Sequence, residues 1–226
     1  MVDFTGGTWR SLIDGLEVAA IPDSAENRWP WDEGSDDTVA DVIGDNNGTV
    51  VGADWIDVAD LVGGFGLEFG GEDRVEMSII DGIGAGLSFS LAITVNLDDI
   101  SDQVIWSQSK GSNDRLSLQI NDSKWHGAVF DGDWSRRESD VDAVTDRVRL
   151  GFGHSDNGDI DIAINGEIIT DNPTSDTSSD GTEVHYIGQQ TAQTNGASMI
   201  ADNPIVYLDR LDADVWSQDY NSQPWS

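Results

Sequence analysis

The sequence predicts an all-β fold of two packed antiparallel sheets. Three observations carry that prediction. Apolar residues recur at every second position in several runs, an Asn-Gly pair splits one such run where a hairpin would turn, and no stretch of ten or more residues has helical periodicity.

Residues 1–25 stand apart from the rest. Trp9-Arg-Ser-Leu-Ile-Asp-Gly-Leu-Glu-Val-Ala-Ala-Ile21 is an apolar segment closed by Pro22-Asp-Ser. Gly15 and the crowded apolar pattern argue against a long amphipathic helix. Two readings remain open: a strand that closes the sandwich, or an arm docked on a neighbouring subunit, since an unpaired apolar strand invites association unless covered.

Residues 26–226 read as one domain, without internal repeat or linker. Trp29-Pro-Trp-Asp-Glu-Gly34, Asn46-Asn-Gly-Thr49 and Gly66-Leu-Glu-Phe-Gly-Gly-Glu-Asp-Arg-Val-Glu76 are its opening strands and turns. Phe89, Leu91, Ile93 and Val95 then alternate with Ser88, Ser90, Ala92 and Thr94; Leu116, Leu118 and Ile120 alternate with Ser117 and Gln119; Val148, Leu150 and Phe152 alternate with Arg147, Arg149 and Gly151. Each pattern predicts a strand with one buried and one wet face. Ile160-Asp-Ile-Ala-Ile-Asn-Gly-Glu-Ile-Ile169 is the clearest hairpin, because Asn165-Gly166 supplies the two positive-φ positions of a tight primed turn. Asp171-Asn-Pro-Thr-Ser-Asp-Thr-Ser-Ser-Asp-Gly181 is a polar loop.

These blocks resemble laminin-G-like domains of the concanavalin A-like lectin and glucanase superfamily. There an aromatic strand ending in Asp-x-Gly leads to an Asn-Gly-Thr turn, and a strand near Leu-x-Phe-x-Gly presents a Val to the core. The hairpin at Asn165-Gly166 fits the same pattern, and Ile205-Val-Tyr-Leu-Asp-Arg-Leu-Asp212 resembles the closing strand. The resemblance covers roughly residues 28–220, with only strand periodicity matched across 98–146. It implies a jelly-roll sandwich.

Charge is the other strong signal. The chain of 226 residues has a formal net charge of -32, with 34 Asp and 9 Glu against 9 Arg and 2 Lys, and the acids are spread through alternating strands. At about 1 M salt the Debye length falls to roughly 3 Å, so carboxylates scarcely repel one another and keep the surface hydrated. A halophilic source is therefore expected. The same charge argues against nucleic acid, which needs Lys and Arg to displace counterions, and against an anionic membrane surface. Zero cysteines remove disulfides, thiolate zinc and cysteine nucleophiles. The apolar stretch Ile79–Leu97 is broken by Asp81, glycines and serines, so no membrane insertion is expected. Met1-Val-Asp-Phe-Thr has neither the basic start nor the apolar core of a signal peptide.

For chemistry, retaining glycosidases need two carboxyl groups roughly 5 Å apart. In the glucanase branch the resemblance implies a Glu-x-Asp-x-x-Glu strand for them, and the sequence has none. His126, His154 and His185 lie far apart and outside any His-Glu-x-x-His helix. No Gly-x-Ser-x-Gly elbow and no phosphate loop occurs, so the chain is expected to be no enzyme, with no catalytic residue.

The resemblance also implies a rim calcium. Asp41, Asp45 and Asn47 are the candidate ligands, with Glu72-Asp73 nearby; the alternative is that Asp41 and Asp45 shape turns. Trp29, Trp31, Trp55 and Trp106 read as core. Trp125-His-Gly-Ala-Val-Phe-Asp-Gly-Asp-Trp134-Ser-Arg-Arg137 offers a second candidate site. Trp125 and Trp134 could stack on sugar faces while Asp131, Asp133 and Arg136 take hydroxyls. Equally, the segment could be a hairpin turning at Gly132, with both tryptophans packed across its strands, or a subunit contact through the arginines.

The function expected is a surface-exposed structural or adhesion protein. The specific form is a virion component (spike, turret or tail fibre) of a haloarchaeal virus, homo-oligomeric, contacting other virion proteins or host-surface glycans. The alternative is a carbohydrate-binding lectin at the cell surface or in the cytoplasm of a halophile.

Overall fold

The computed structural model describes residues 12–13, 16–17, 22, 24–59, 61–78, 80, 83, 87–110, 114–131, 134–169, 184–188 and 195–223, with backbone alone at 12–13, 16–17, 109–110, 114–115, 130–131 and 134–135. In chain order the strands are β1 Leu12–Ile13, β2 Leu16–Glu17, β3 Ala25–Arg28, β4 Thr38–Val39, β5 Gly48–Val51, β6 Asp54–Asp57, β7 Phe65–Gly70, β8 Arg74–Met77, β9 Phe89–Leu97, β10 Gln103–Lys110, β11 Asp114–Asn121, β12 Lys124–Asp131, β13 Trp134–Asp142, β14 Val148–His154, β15 Ile160–Ile164, β16 Glu167–Ile168, β17 His185–Gly188 and β18 Ser198–Tyr207; a 3-10 turn spans Val62–Gly64 and one helix, α1, spans Ala213–Asn221.

Two eight-stranded sheets pack face to face. One runs β13-β12-β11-β10-β17-β8-β5-β4; the other runs β16-β15-β14-β9-β18-β7-β6, with β3 also on β18. The pairings between named strands are antiparallel, as the alternating patterns require. The predicted sandwich is the observed one. Of the N-terminal segment, β1 and β2 pair with each other and with neither large sheet; the rest up to Ile21 lies outside the described residues, as does the loop Asp171–Gly181.

Period two decides what lies between the sheets. Leu91, Ile93 and Val95 on β9, Leu116, Leu118 and Ile120 on β11, and Leu150 and Phe152 on β14 form one continuous core with Trp29, Trp31 and Trp106, and Trp55 packs against its margin. At the hairpin, Asn165 and Gly166 take φ values of 51° and 82°, the primed turn the sequence predicts. The Asn165 side chain adds a local lock, accepting the Arg149 amide at 2.9 Å.

β9 and β14 depart from expectation in one respect: both of their faces are buried. Helix α1 covers the outer face of this sheet. Its N-cap is Asp212, whose carboxylate accepts the Val215 amide at 3.0 Å. Trp216 packs with Ala92, Ala163, Ile205, Tyr207 and Leu211. Small residues let it lie that close. A Cβ on Gly151 would stand 2.5 Å from Trp216 Cζ3 and 3.1 Å from the Ala163 Cβ. Gly151→Ala should therefore cost about 1–3 kcal/mol by overpacking, read as a lower thermal midpoint with little change in strand content. An unchanged midpoint would show that the helix does not need this approach.

The closing strand also differs from its sequence pattern. β18 ends at Tyr207, and its register with β9 slips between Asp202 and Ile205, where Asn203 takes φ 50°. Residues 208–212 lead into the helix instead of extending the strand.

Candidate functional site

Helix α1 lies on the outer face of one sheet, and among the described residues no helix lies on the outer face of the other. Its outward positions follow from the core contacts of their neighbours. Trp106, Leu116, Leu118, Trp125 and Val129 face inward, so Ser107, Ser117 and Ala128 face outward. Register aligns them in one row: Arg136 on β13, Ala128 on β12, Ser117 on β11, Ser107 on β10, Tyr186 on β17 and Glu76 on β8. Gln119, His126 and Glu138 align beside that row on β11, β12 and β13.

The row is recessed at its centre. Ser107, Ser117 and Ala128 are 1%, 3% and 0% exposed. Around them Tyr186, Gln119 and Glu76 are half-buried, and Arg136 and Glu138 are exposed. Small side chains between taller polar ones make a furrow across the strands.

Among the described residues two groups in this row are sealed from water with no partner at good hydrogen-bonding distance: the Ser107 hydroxyl and the ring nitrogens of His126, of which the ring feels only a weak pull from the Asn121 backbone. Glu138 stands 3.6 Å from His126 Nε2, beyond hydrogen-bonding range. Burial lowers the His126 pKa against the opposing pull of Glu138, so the ring is neutral at neutral pH, with one donor and one acceptor nitrogen. The Ser117 hydroxyl makes only a long 3.4 Å contact to Gln119 Oε1. Buried polar groups left unpaired are uncommon in folded proteins; the core tryptophans Trp31, Trp106 and Trp125 carry unpaired ring N–H groups too, so what sets Ser107 and His126 apart is their outward position on the sheet.

The aromatic segment named from sequence is divided by the fold. Residues 124–142 are the β12–β13 hairpin, but the two tryptophans are not partners across it. Trp125 lies opposite Ile120, wholly buried in the core, while Trp134 pairs with Phe130 at the turn end. Trp125 is thus no stacking platform. Asp131 and Trp134 are described by backbone only, and Asp133 lies outside the described residues. Of those five whose side chains are described, Arg136 stands at the end of this row and Trp125 does not. The sequence missed Ser107, Ser117, Gln119, His126 and Tyr186; the signal available was a run of small polar residues on outward positions.

The proposed calcium loop is occupied by the protein's own donors. Asp41 Oδ1 accepts the amides of Arg28, Ile43 and Gly44 at 3.0, 3.1 and 2.9 Å, and Oδ2 accepts Asn27 Nδ2 at 2.5 Å and the Asn46 amide at 3.2 Å. Asn47 Oδ1 accepts the Asp41 amide at 3.0 Å, and Asp45 is exposed. Burial alone would raise the Asp41 pKa, but these N–H donors outweigh it and hold it below the ordinary value. Calcium needs six to eight oxygens, and this set does not fit one. Among the described residues no group of three or more His, Asp or Glu could hold a metal. Asp41→Ala should cost about 3 kcal/mol, because it orphans several amides. The loss should be equal with calcium or with a chelator; a loss seen only in calcium would restore the metal reading.

The histidines are all strand residues turned into protected surroundings. His154 packs on Phe89 with ring centroids 5.5 Å apart, and His185 stacks on Trp106 at 5.6 Å. Burial drives the His185 pKa down to about 3.

No protein-family model matches the sequence, and no curated protein matches it. Solved structures do resemble the fold. Domain 4 of AbnA, a GH43 extracellular arabinanase from Geobacillus stearothermophilus in complex with arabinotriose, is 15% identical with a TM-score of 0.73, over 87% of this chain and 98% of that one. Trypanosoma rangeli sialidase in complex with sialic acid is 14% identical with a TM-score of 0.68, over 95% of this chain and 35% of that one. The binding domain of Paraclostridial Mosquitocidal Protein 1 is 12% identical with a TM-score of 0.68, over 88% and 52%. The chain thus spans nearly all of the arabinanase domain, about a third of the sialidase and about half of the binding domain.

At such identities the likeness shows a β-sandwich fold. It also corrects one expectation. The Glu-x-Asp-x-x-Glu strand is missing, but glycosidases stand among the proteins of this fold, so its absence does not make the chain a non-enzyme.

Proposed function

We propose that the chain binds carbohydrate in the furrow across β10, β11 and β12. The observation that carries this is the buried, unpartnered pair of Ser107 and His126 on an outward sheet face. Sugar hydroxyls donate and accept at once, which suits a serine, a neutral imidazole and the Gln119 amide. Tyr186 adds a ring at one end for a sugar face, and Arg136 adds a guanidinium at the other. The arabinanase domain in complex with arabinotriose lends support at the level of fold.

The net charge of -32 supports a working environment of molar salt. Within it, the form we favour is a surface-exposed, homo-oligomeric component of a haloarchaeal virion that contacts host glycoconjugates. A halophile's cell-surface lectin is the second form, and a laminin-G-like ancestry is compatible with both.

A glycan panel at about 2–3 M salt, where surface repulsion is screened, tests the site. His126→Ala and Tyr186→Ala should each weaken the best ligand at least tenfold while leaving the melting midpoint in place. Binding unaffected by both substitutions would remove the furrow. Repeating the melt in dilute buffer tests the habitat: an unchanged midpoint would remove the high-salt assignment.

A further inference from the structure

We infer that Asn47 is an N-glycosylation site, whose side-chain nitrogen takes an oligosaccharide from a polyprenyl-phosphate donor. This modification requires the surface-exposed placement proposed above and is independent of the furrow.

An asparagine accepts such a glycan within Asn-x-Ser/Thr, where x is not proline. The chain offers Asn47-Gly-Thr49 and Asn121-Asp-Ser123, while Asn172-Pro-Thr174 carries the excluded proline. So short a pattern recurs by chance, and geometry has to choose between the two.

At Asn47 both recognition groups are presented. Asn47 and Thr49 are exposed, and neither they nor Gly48 takes a positive φ. Asn47 Oδ1 accepts the Asp41 amide at 3.0 Å, which fixes the carboxamide by its oxygen. Asp41 is itself held, since its carboxylate accepts the Ile43 and Gly44 amides. Among the described residues nothing bonds Asn47 Nδ2 or the Thr49 hydroxyl. N-glycosylation replaces one of the two Nδ2 hydrogens and leaves the oxygen an acceptor, so the anchor to Asp41 survives the modification.

The same loop carries apolar surface. Val42 and Ile43 follow Asp41 directly and are 55% and 48% exposed, the highest values among the large apolar side chains described. Exposed apolar groups side by side call for cover, and a glycan rooted at Asn47 starts from the loop that bears them.

Asn121 lacks these features. Asn121 and Ser123 are half-buried, and Asp122 and Ser123 take φ values of 51° and 63° in the tight β11–β12 turn. Asn121 Nδ2 already donates to Asp122 Oδ2 at 3.3 Å, and the Ser123 carbonyl accepts the Ala143 amide at 2.8 Å. A transferase would have to open the hairpin end to reach this asparagine.

In the transfer, Asn47 Nδ2 bonds the anomeric carbon of the first sugar. The bond from that carbon to the donor's phosphate oxygen breaks, its electron pair stays on the lipid phosphate, and one amide proton passes to solvent. A membrane oligosaccharyltransferase supplies the catalysis.

The test is the full chain exported behind an added signal from a haloarchaeal host at about 2–3 M salt, with the host's own surface glycoprotein as positive control. Trypsin separates the two acceptors, because Asn47 falls in peptide 29–74 and Asn121 in peptide 116–124. Mass spectrometry should find a glycan on the first in most molecules and none on the second. Asn47→Gln and Thr49→Ala should each remove it, while Thr49→Ser, which keeps the hydroxyl, should retain it. A bare 29–74 peptide beside a glycosylated host protein overturns the inference, as does a glycan that survives Thr49→Ala. Because export is supplied, either result leaves the surface placement standing.

Discussion

Replacing Arg149 by methionine should lower the free energy of unfolding by about 3–5 kcal/mol, the usual cost of leaving one member of a buried ion pair alone. Arg149 is 2% exposed and Asp219 0% exposed. The pair is bidentate, with Nε to Oδ2 at 2.7 Å and Nη2 to Oδ1 at 3.0 Å. Arg149 Nη1 also donates to the Asn203 carbonyl at 2.7 Å, and the Tyr207 hydroxyl donates to Asp219 Oδ1 at 2.6 Å. Burial works against the guanidinium charge, but Asp219 outweighs it and holds the Arg149 pKa above its ordinary value.

In Arg149→Met the Asp219 carboxylate keeps only Tyr207 as a side-chain donor in this network. Arg149→Met with Asp219→Leu should recover much of the loss, since no uncompensated charge stays buried. Denaturant melts of the two single variants and the double variant measure this. A single-variant loss below about 1 kcal/mol would place the pair with surface bridges instead. Because Asp219 lies on α1 and Arg149 on β14, the same cycle reports how firmly the helix is held to its sheet.

The second large effect is on pH. Burial takes His185 from 6.5 to about 3, so between those values the unfolded chain holds a proton that the folded chain lacks. Stability is full above 6.5 and falls as pH drops, by about 1.4 kcal/mol per unit and roughly 4–5 kcal/mol by pH 3. His185→Phe keeps a ring on Trp106 and should remove this acid limb.

Asp202 acts with the opposite sign. Burial, opposed by the Val62 amide at 2.9 Å and then by Arg149, takes it from 3.8 to about 8. Across that window the folded chain holds a proton that the unfolded chain has released. Stability therefore falls as pH rises from 3.8 to 8 and is level beyond. Asp202→Asn keeps the neutral shape and should raise stability near pH 7 by roughly 4 kcal/mol. Melts of each variant from pH 3 to 9 read both slopes; parallel curves for variant and parent would show that neither group titrates as described.

Part of this molecule was legible from the chain alone. The alternation at Leu116, Leu118 and Ile120 gave both a strand and its inward face, because successive side chains must point to opposite sides of a sheet. Asn165-Gly166 gave its turn for an equally local reason, the tolerance of those residues for positive φ. The helix was harder to see. Ala213–Asn221 is nine residues long, too short for a periodic signal, and its stability comes from Trp216 against Gly151 and from Asp219 against Arg149, both distant in sequence.

The candidate site shows the same division. Local composition around Trp125 and Trp134 looked like a ligand site, yet a sandwich core and a sugar platform ask for the same residue type, and only register separates them. Asp41 looked like a metal ligand until its neighbours in space supplied N–H groups for both oxygens. Ser117 read only as the wet side of a strand and His126 only as a lone histidine, because their alignment with Ser107 across three different strands is a matter of register.

The sequence by itself determined that this is a two-sheet sandwich, which side chains line its interior, and that its surface is strongly acidic. These follow from period two, turn chemistry and charge count, all properties of residues near one another or of the chain as a whole. The tertiary structure decided that one outer face is closed by a helix and a buried ion pair, that Trp125 is core, and that a polar furrow crosses the other face. Those outcomes depend on which strands become neighbours and in what register, and non-local pairing is what a linear pattern does not encode.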